Sequence, residues 1–185
     1  MWKTNSNENN IVGGIYIKEQ YKYIILIFTI AIILPMFFSQ SINKRMSKSL
    51  GIEIPGNIKI DYEDTHGGFH GDGDTTAVVQ FDKSIAENIR SEIENNMDWN
   101  SLPLSESLDI LMYGGVKEGT NYTYNYAELL NMPRIENGYW FYEDRQPESI
   151  LSSEDQDLFP RLSYNFTIAI YDLDTDTLYY LENDI

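Results

Sequence analysis

A chain of 185 residues with no cysteine leaves no disulfide, thiolate nucleophile, Cys-ligated zinc or acylated lipobox cysteine. Its formal net charge of −16 is unevenly spread: residues 1–50 carry six Lys/Arg against two Asp/Glu, and residues 51–185 carry seven against 27. A field of that sign repels phosphate backbones, so the acidic part is expected to bind no nucleic acid. Aromatic residues at 14% argue for a folded core rather than a disordered chain.

Residues 1–20 read as a short N-terminal tail. Residues 24–38 (IILIFTIAIILPMFF) then form an apolar run with Thr29 as its single polar member. Fifteen residues are short for a bilayer, which needs about 20 in a helix. The charge-free stretch is longer, 23–43, with Tyr21 and Tyr23 suited to the headgroup layer and Lys22 able to snorkel. Residues 21–43 are therefore expected to be a transmembrane anchor, with the membrane as partner. Two alternatives are a signal peptide cleaved near Ser39-Gln40-Ser41 and a buried core helix. Lys18 and Lys22 precede the run and Lys44, Arg45 and Lys48 follow it, a margin of one residue that slightly favours a cytoplasmic C-terminus. The rule weakens before a long domain, and the expected location is a single-pass protein of the cell membrane with its domain extracellular.

Residues 44–57 read as a polar stalk ending in the Pro55-Gly56 turn, and 58–185 as an acidic soluble domain. Residues 58–63 alternate apolar and polar as a half-buried strand does; a glycine-rich turn over 66–74 and a β-branched strand over 75–81 follow. Asp82 or Ser84 can cap the next helix, Ser84 with Glu87 as a capping box, with Ile85, Ile89, Ile93 and Met97 on one stripe. Residues 99–104 form an apolar connector and 109–115 (DILMYGG) a strand ended by two glycines. Tyr122, Tyr124 and Tyr126 alternate before a short helical turn at 127–131, and 138–142 (GYWFY) is an aromatic strand. Residues 143–162 are polar and irregular. Residues 164–171 and 177–181 alternate on either side of the Asp/Thr-rich 172–176 and predict a hairpin. The order β-β-α-β-β-β-β predicts an α+β fold, a mainly antiparallel sheet with one main helix packed on a face.

Both histidines of the chain lie in 63–74 (EDTHGGFHGDGD). Were that stretch extended, His66, His70, Asp72 and Asp74 would point to one side. Imidazole and carboxylate together suit a divalent metal, the one cofactor suggested, and His70 beside an acid could act as a general base. His66, Gly67, Gly68, His70, Asp72 and Asp74 are thus the candidate ligand-binding loop. The plain alternative is a glycine-rich β-turn. Asp172-Leu173-Asp174-Thr175-Asp176 starts like a calcium loop, but Thr177 stands where the glycine belongs and Asn183 where the bidentate Glu belongs, so a hairpin turn is the better reading. The tyrosine row could stack on sugars or peptide, though inward-facing strand aromatics account for it as well. There is no phosphate-binding glycine loop and no nucleophile elbow.

The blocks HGGFHGDGDT (66–75), DWNSLPLSESL (98–108), GYWFYEDR (138–145) and SYNFTIAIYDLDTDTLYYLE (163–182) resemble uncharacterised membrane-anchored extracytoplasmic proteins of Gram-positive bacteria. The resemblance covers most of the soluble domain and implies location and fold, with no activity attached. Gln146 stands where such proteins are expected to carry a histidine. Three functions remain open at this level: a ligand- or partner-binding module contacting through the 58–81 hairpin, a metal-dependent envelope hydrolase using His66, His70, Asp72 and Asp74, and a structural envelope protein.

Overall fold

A helix at the edge of a hydrophobic core needs only three apolar positions one turn apart, and Ile42, Met46 and Leu50 supply them. In the computed structural model, which describes residues 23–29, 41–67, 71–146, 159 and 164–185, these residues lie on helix α1 (Ile42–Leu50). Met46 and Leu50 are fully buried, and Gly51 ends the helix in the left-handed region at φ 64°. The chain then doubles back: Asn43 Nδ2 donates to Pro55 O (2.9 Å) and Ile58 O (3.0 Å), while Ile54 N donates to Ser47 Oγ (2.9 Å). Residues 44–57, expected as a stalk, thus contribute Met46, Leu50, Ile52 and Ile54 to the core. The basic outer side of α1 disguises that short stripe.

Strands β1 (Asp61–Asp64) and β2 (Gly73–Gln80) form the first hairpin, followed by α2 (Lys83–Asn95). Asp82 caps α2 by accepting from Ser84 N and Ile85 N. Ala86, Ile89 and Ile93 are its buried positions, whereas Met97, counted in the stripe, lies beyond the helix end and is 97% exposed. Next come β3 (Trp99–Ser101) and α3 (Glu106–Tyr113). Of the strand expected over 109–115, residues 109–113 are helix instead, Gly114 caps it and Gly115 opens the next strand. Ser105 Oγ accepts from Leu108 N, and Leu108, Leu111 and Met112 recur at helical spacing on the buried side. A three-residue apolar run such as Ile-Leu-Met does not distinguish strand from helix by periodicity.

A small ladder, β4 (Gly115–Lys117) with β5 (Thr120–Tyr122), precedes the helical turn α4 (Tyr126–Leu129), and β6 (Gly138–Asp144), β7 (Asn165–Asp172) and β8 (Thr177–Asp184) complete the chain. The main sheet has the order β1-β2-β8-β7-β6-β3, with every neighbouring pair antiparallel. The fold is α+β with a mainly antiparallel sheet, and helices cover both faces rather than one. On one face Met46, Leu50, Ile89 and Ile93 pack with Val79, Ala169, Tyr171, Leu178 and Tyr180. On the other, Leu108, Leu111, Ala127 and Leu130 pack with Phe166, Ile168, Ile170 and Leu181. The parity of β7 and β8 decides which residue meets which layer.

Contacts divide the chain into residues 1–40 and the domain 41–185. In the first part, residues 23–29 are helical. No described helix is long and apolar enough to cross a membrane, and most of the 24–38 run lies outside the described residues.

Candidate functional site

Alternation along β8 carries Leu178 and Tyr180 into the core under α1 and α2 and then aims Glu182 and Asp184 at the same face. A carboxylate in that register must find partners, because an ionised group taken out of water unpaired neutralises or destabilises the fold. Glu182, only 9% exposed, finds three. Arg45 Nη2 from α1 donates to its Oε2 at 2.6 Å, Arg145 Nη1 from beyond β6 donates to its Oε1 at 2.9 Å, and Tyr180 OH donates to Oε2 at 2.9 Å.

The neighbouring groups close a circuit. Arg145 Nη2 pairs with Asp184 Oδ1 at 2.9 Å, and the other oxygen of Asp184 lies 3.1 Å from His66 Nε2. His66 Nδ1 meets Asp64 Oδ1 at 2.7 Å, and Asp64 Oδ2 returns to Arg45 Nη1 at 3.3 Å. Six side chains, Arg45, Asp64, His66, Asp184, Arg145 and Glu182, therefore alternate in sign around one ring. The ring ties α1, the first hairpin, the end of β6 and the end of β8 together. Thr75, fully buried, sits beneath it with Oγ1 3.3 Å from His66 Nδ1. Arg145 Nη2 also donates to Phe166 O (3.0 Å) and Asn183 O (3.1 Å), which fixes the guanidinium against the sheet.

Electrostatics follow from that closure. Burial disfavours the charged imidazole of His66, but hydrogen bonds to Asp64 and Asp184 outweigh it and raise its pKa above the ordinary value. Burial likewise acts against ionised Asp64, yet His66 and then Arg45 hold it below the usual carboxylate range. With both ring nitrogens on carboxylates, His66 is at home as the imidazolium, both of whose nitrogens donate. In that state it offers no lone pair to a proton or a metal. A cation entering among Asp64, Asp184 and Glu182 would also have to displace two guanidiniums.

His66 is the one predicted site residue in the ring. Its neighbour Gly67 is exposed, and Gly68 and His70 lie outside the described residues. Asp72 is exposed. Asp74 does not share a side with His66. It pairs with Asn183 across β2 and β8, accepts from Asn183 Nδ2 at 2.7 Å, and so lies on the α3–α4 face, whereas Thr75 beneath His66 lies on the α1–α2 face. The stretch is folded rather than extended: Thr65 N donates to Asp74 O at 2.9 Å, and Asp74 N donates to Thr65 Oγ1 at 2.8 Å. Gly73 makes this possible, since a Cβ there would fall 2.6 Å from His66 N. Among the described residues no group of three or more His, Cys, Asp or Glu is arranged to hold a metal. Arg45, Asp64, Arg145, Glu182 and Asp184 were not singled out from sequence. The available signal was the inward parity 178, 180, 182, 184 on β8, which places two acids where the core requires partners.

The other sequence candidates are engaged within the fold. Asp172 Oδ1 accepts from Asp174 N (2.9 Å) and its Oδ2 from Thr175 Oγ1 (2.7 Å), the bonding of a tight turn. Asp176 accepts from Arg90 Nε (2.9 Å) and Tyr171 OH (2.8 Å). Tyr122, Tyr124 and Tyr126 stack on one another at 6.2 and 6.4 Å, with Phe159 on Tyr122 at 4.3 Å and Tyr126 edge-on to Phe166. Burial raises the Tyr126 pKa to about 12. No protein-family model, curated protein or solved structure matches the chain.

Proposed function

We propose that this chain is a single-pass membrane-anchored protein whose acidic domain, held outside the cell by residues 21–43, binds a ligand or protein partner and performs no catalysis of its own. The observation that carries the reading is the closed ring. Each acid, arginine and imidazole in it already serves a neighbour of opposite sign, so His66 and the ring's carboxylates are committed to holding the fold. Beside the ring, all four residues of β1 are exposed and Tyr62 is 54% exposed, which leaves the first hairpin available for contact. The apolar run 24–38 and the basic-to-acidic change of charge after residue 50 support the tether.

Two measurements test this. Protease added to intact cells should remove residues 51–185, and protection of that domain would overturn the location. A photo-crosslinking residue at position 62 of the full chain should give a discrete adduct that the same residue at the exposed position 87 does not. Equal labelling at both positions would sink the hairpin as contact site. Stoichiometric metal in the purified full chain, lost on His66→Ala, would overturn the non-catalytic reading in favour of the metal-dependent hydrolase.

A further inference from the structure

Strand β1 is one of the two outer strands of the sheet, and among the described residues it pairs with β2 alone. Thr65 N donates inward to Asp74 O at 2.9 Å. Alternation along an antiparallel ladder then turns the N–H and C=O groups of Tyr62 and Asp64 away from β2, towards solvent. On the α3–α4 side of this edge runs a cleft of about 380 Å³, lined by Asp61, Glu63, Thr76, Val78, Leu129 and Asn131. Leu129 on its far rim is 53% exposed, a large apolar side chain facing water. Asp61 and Glu63 share the cleft face, two residues apart and so about 7 Å from one another along the strand. Among the described residues neither carboxylate has an ion-pair or hydrogen-bond partner, in contrast to Asp64 and Asp74 beside them.

We propose, on the footing of the binding-module reading, that this edge takes up an extended polypeptide segment with Lys or Arg at every second position. Its backbone continues the sheet against Tyr62 and Asp64, its cationic side chains lie over Asp61 and Glu63, and its stems cover Leu129. Charge complementarity selects this occupant. Residues 51–185 hold 27 acids against seven basic residues, so a second copy of the domain is repelled and a basic segment is drawn in. The period of two matches because a strand added to an edge presents alternate side chains to one face, as β1 does. Small polycations share the charge but lack the amides that the edge would pair with.

The test is fluorescence anisotropy on the full chain in a zwitterionic detergent, with a labelled nonapeptide of alternating Lys and Val as probe. Saturable binding is expected, weakened about tenfold by Asp61→Asn with Glu63→Gln, the scale of two partly exposed charge pairs. Methylating the alternate peptide amides that would face β1 should abolish binding, and spermine at equal charge should compete weakly. Both substitutions lie on the surface, and an unchanged melting curve verifies the fold of the variant. No binding, equal binding by the variant, equal binding by the methylated peptide, or full displacement by spermine would each overturn the proposal. If an excess of the Lys/Val peptide leaves the position-62 adduct undiminished, the proposal on the segment falls while the binding-module reading stands.

Discussion

Replacing Glu182 by Gln preserves the shape of the side chain and removes one charge from the centre of the ring. Two arginines and one tyrosine hydroxyl donate to this carboxylate at 2.6–2.9 Å, and the residue is 9% exposed. Replacing two guanidinium–carboxylate ion pairs by guanidinium–amide hydrogen bonds costs about 1 kcal/mol each. The new amide group must face a donor, since all three partners donate, which adds about 1 kcal/mol or more. The expected loss is about 3 kcal/mol, the scale at which a buried ion pair is broken. For the 145 residues from Ser41 to Ile185 it should lower Tm by about 10 °C. Urea unfolding followed by circular dichroism measures the loss, and a double-mutant cycle with Arg145→Met assigns it. The double variant should lose less than the sum of the two single losses, because each removes the same pair. A loss below about 1 kcal/mol, or strict additivity, would refute the view that the ring holds these elements together.

The ring also sets a pH window. The raised pKa of His66 contributes stability that is fully present below about 6.5 and is lost as pH rises through the folded-state value. The lowered pKa of Asp64 contributes stability present above about 3.9 and lost as pH falls through its folded-state value. Denaturation midpoints of the wild type should therefore gain most over His66→Gln between those limits, and a difference that widens above pH 8 would contradict the assignment. Gly73→Ala should destabilise the hairpin by about 2 kcal/mol, since its Cβ would meet backbone atoms of His66 at 2.6 and 2.7 Å. Amide exchange at residues 65, 66 and 74 should accelerate with it; unchanged protection would speak against close packing there. Leu50→Ala should cost about 3 kcal/mol in a urea melt because Leu50 is fully buried, whereas a residue in a free stalk would give no change.

The strands rich in β-branched and aromatic residues were legible from sequence. Residues 75–81, 138–142 and the 164–181 hairpin correspond to β2, β6 and the β7–β8 pair. Burial alternates along β2, whereas β7 and β8 are buried at nearly every position because a core lies on each face. The helix after Asp82 was equally clear, although the cap is Asp82 alone and the stripe ends at Ile93. What escaped were elements whose apolar content is small: α1, with three apolar positions among lysines and serines, and α3, whose apolar core is shorter than one helical turn of unambiguous pattern. Those two helices also decide the layering, so one packed helix became helices on both faces. The candidate site was legible only through His66. Its partners come from residues 45, 64, 145, 182 and 184, a convergence that no local spacing announces, and the expected companion Asp74 points through the sheet to the other side.

Strand β8 lies between β2 and β7, although more than 90 residues separate Gln80 from Thr177, its register partner. The hairpin at residues 61–80 and the strands β6 and β7 therefore cannot join into one sheet until residues 177–184 have been made and inserted. Pairing across such distances is slow, because the intervening chain must lose its freedom before any contact forms. Until that insertion, β2 and β7 would each present an open edge, a state prone to pairing with other chains. A domain wired in this way can close its sheet only once β8 is in place between β2 and β7.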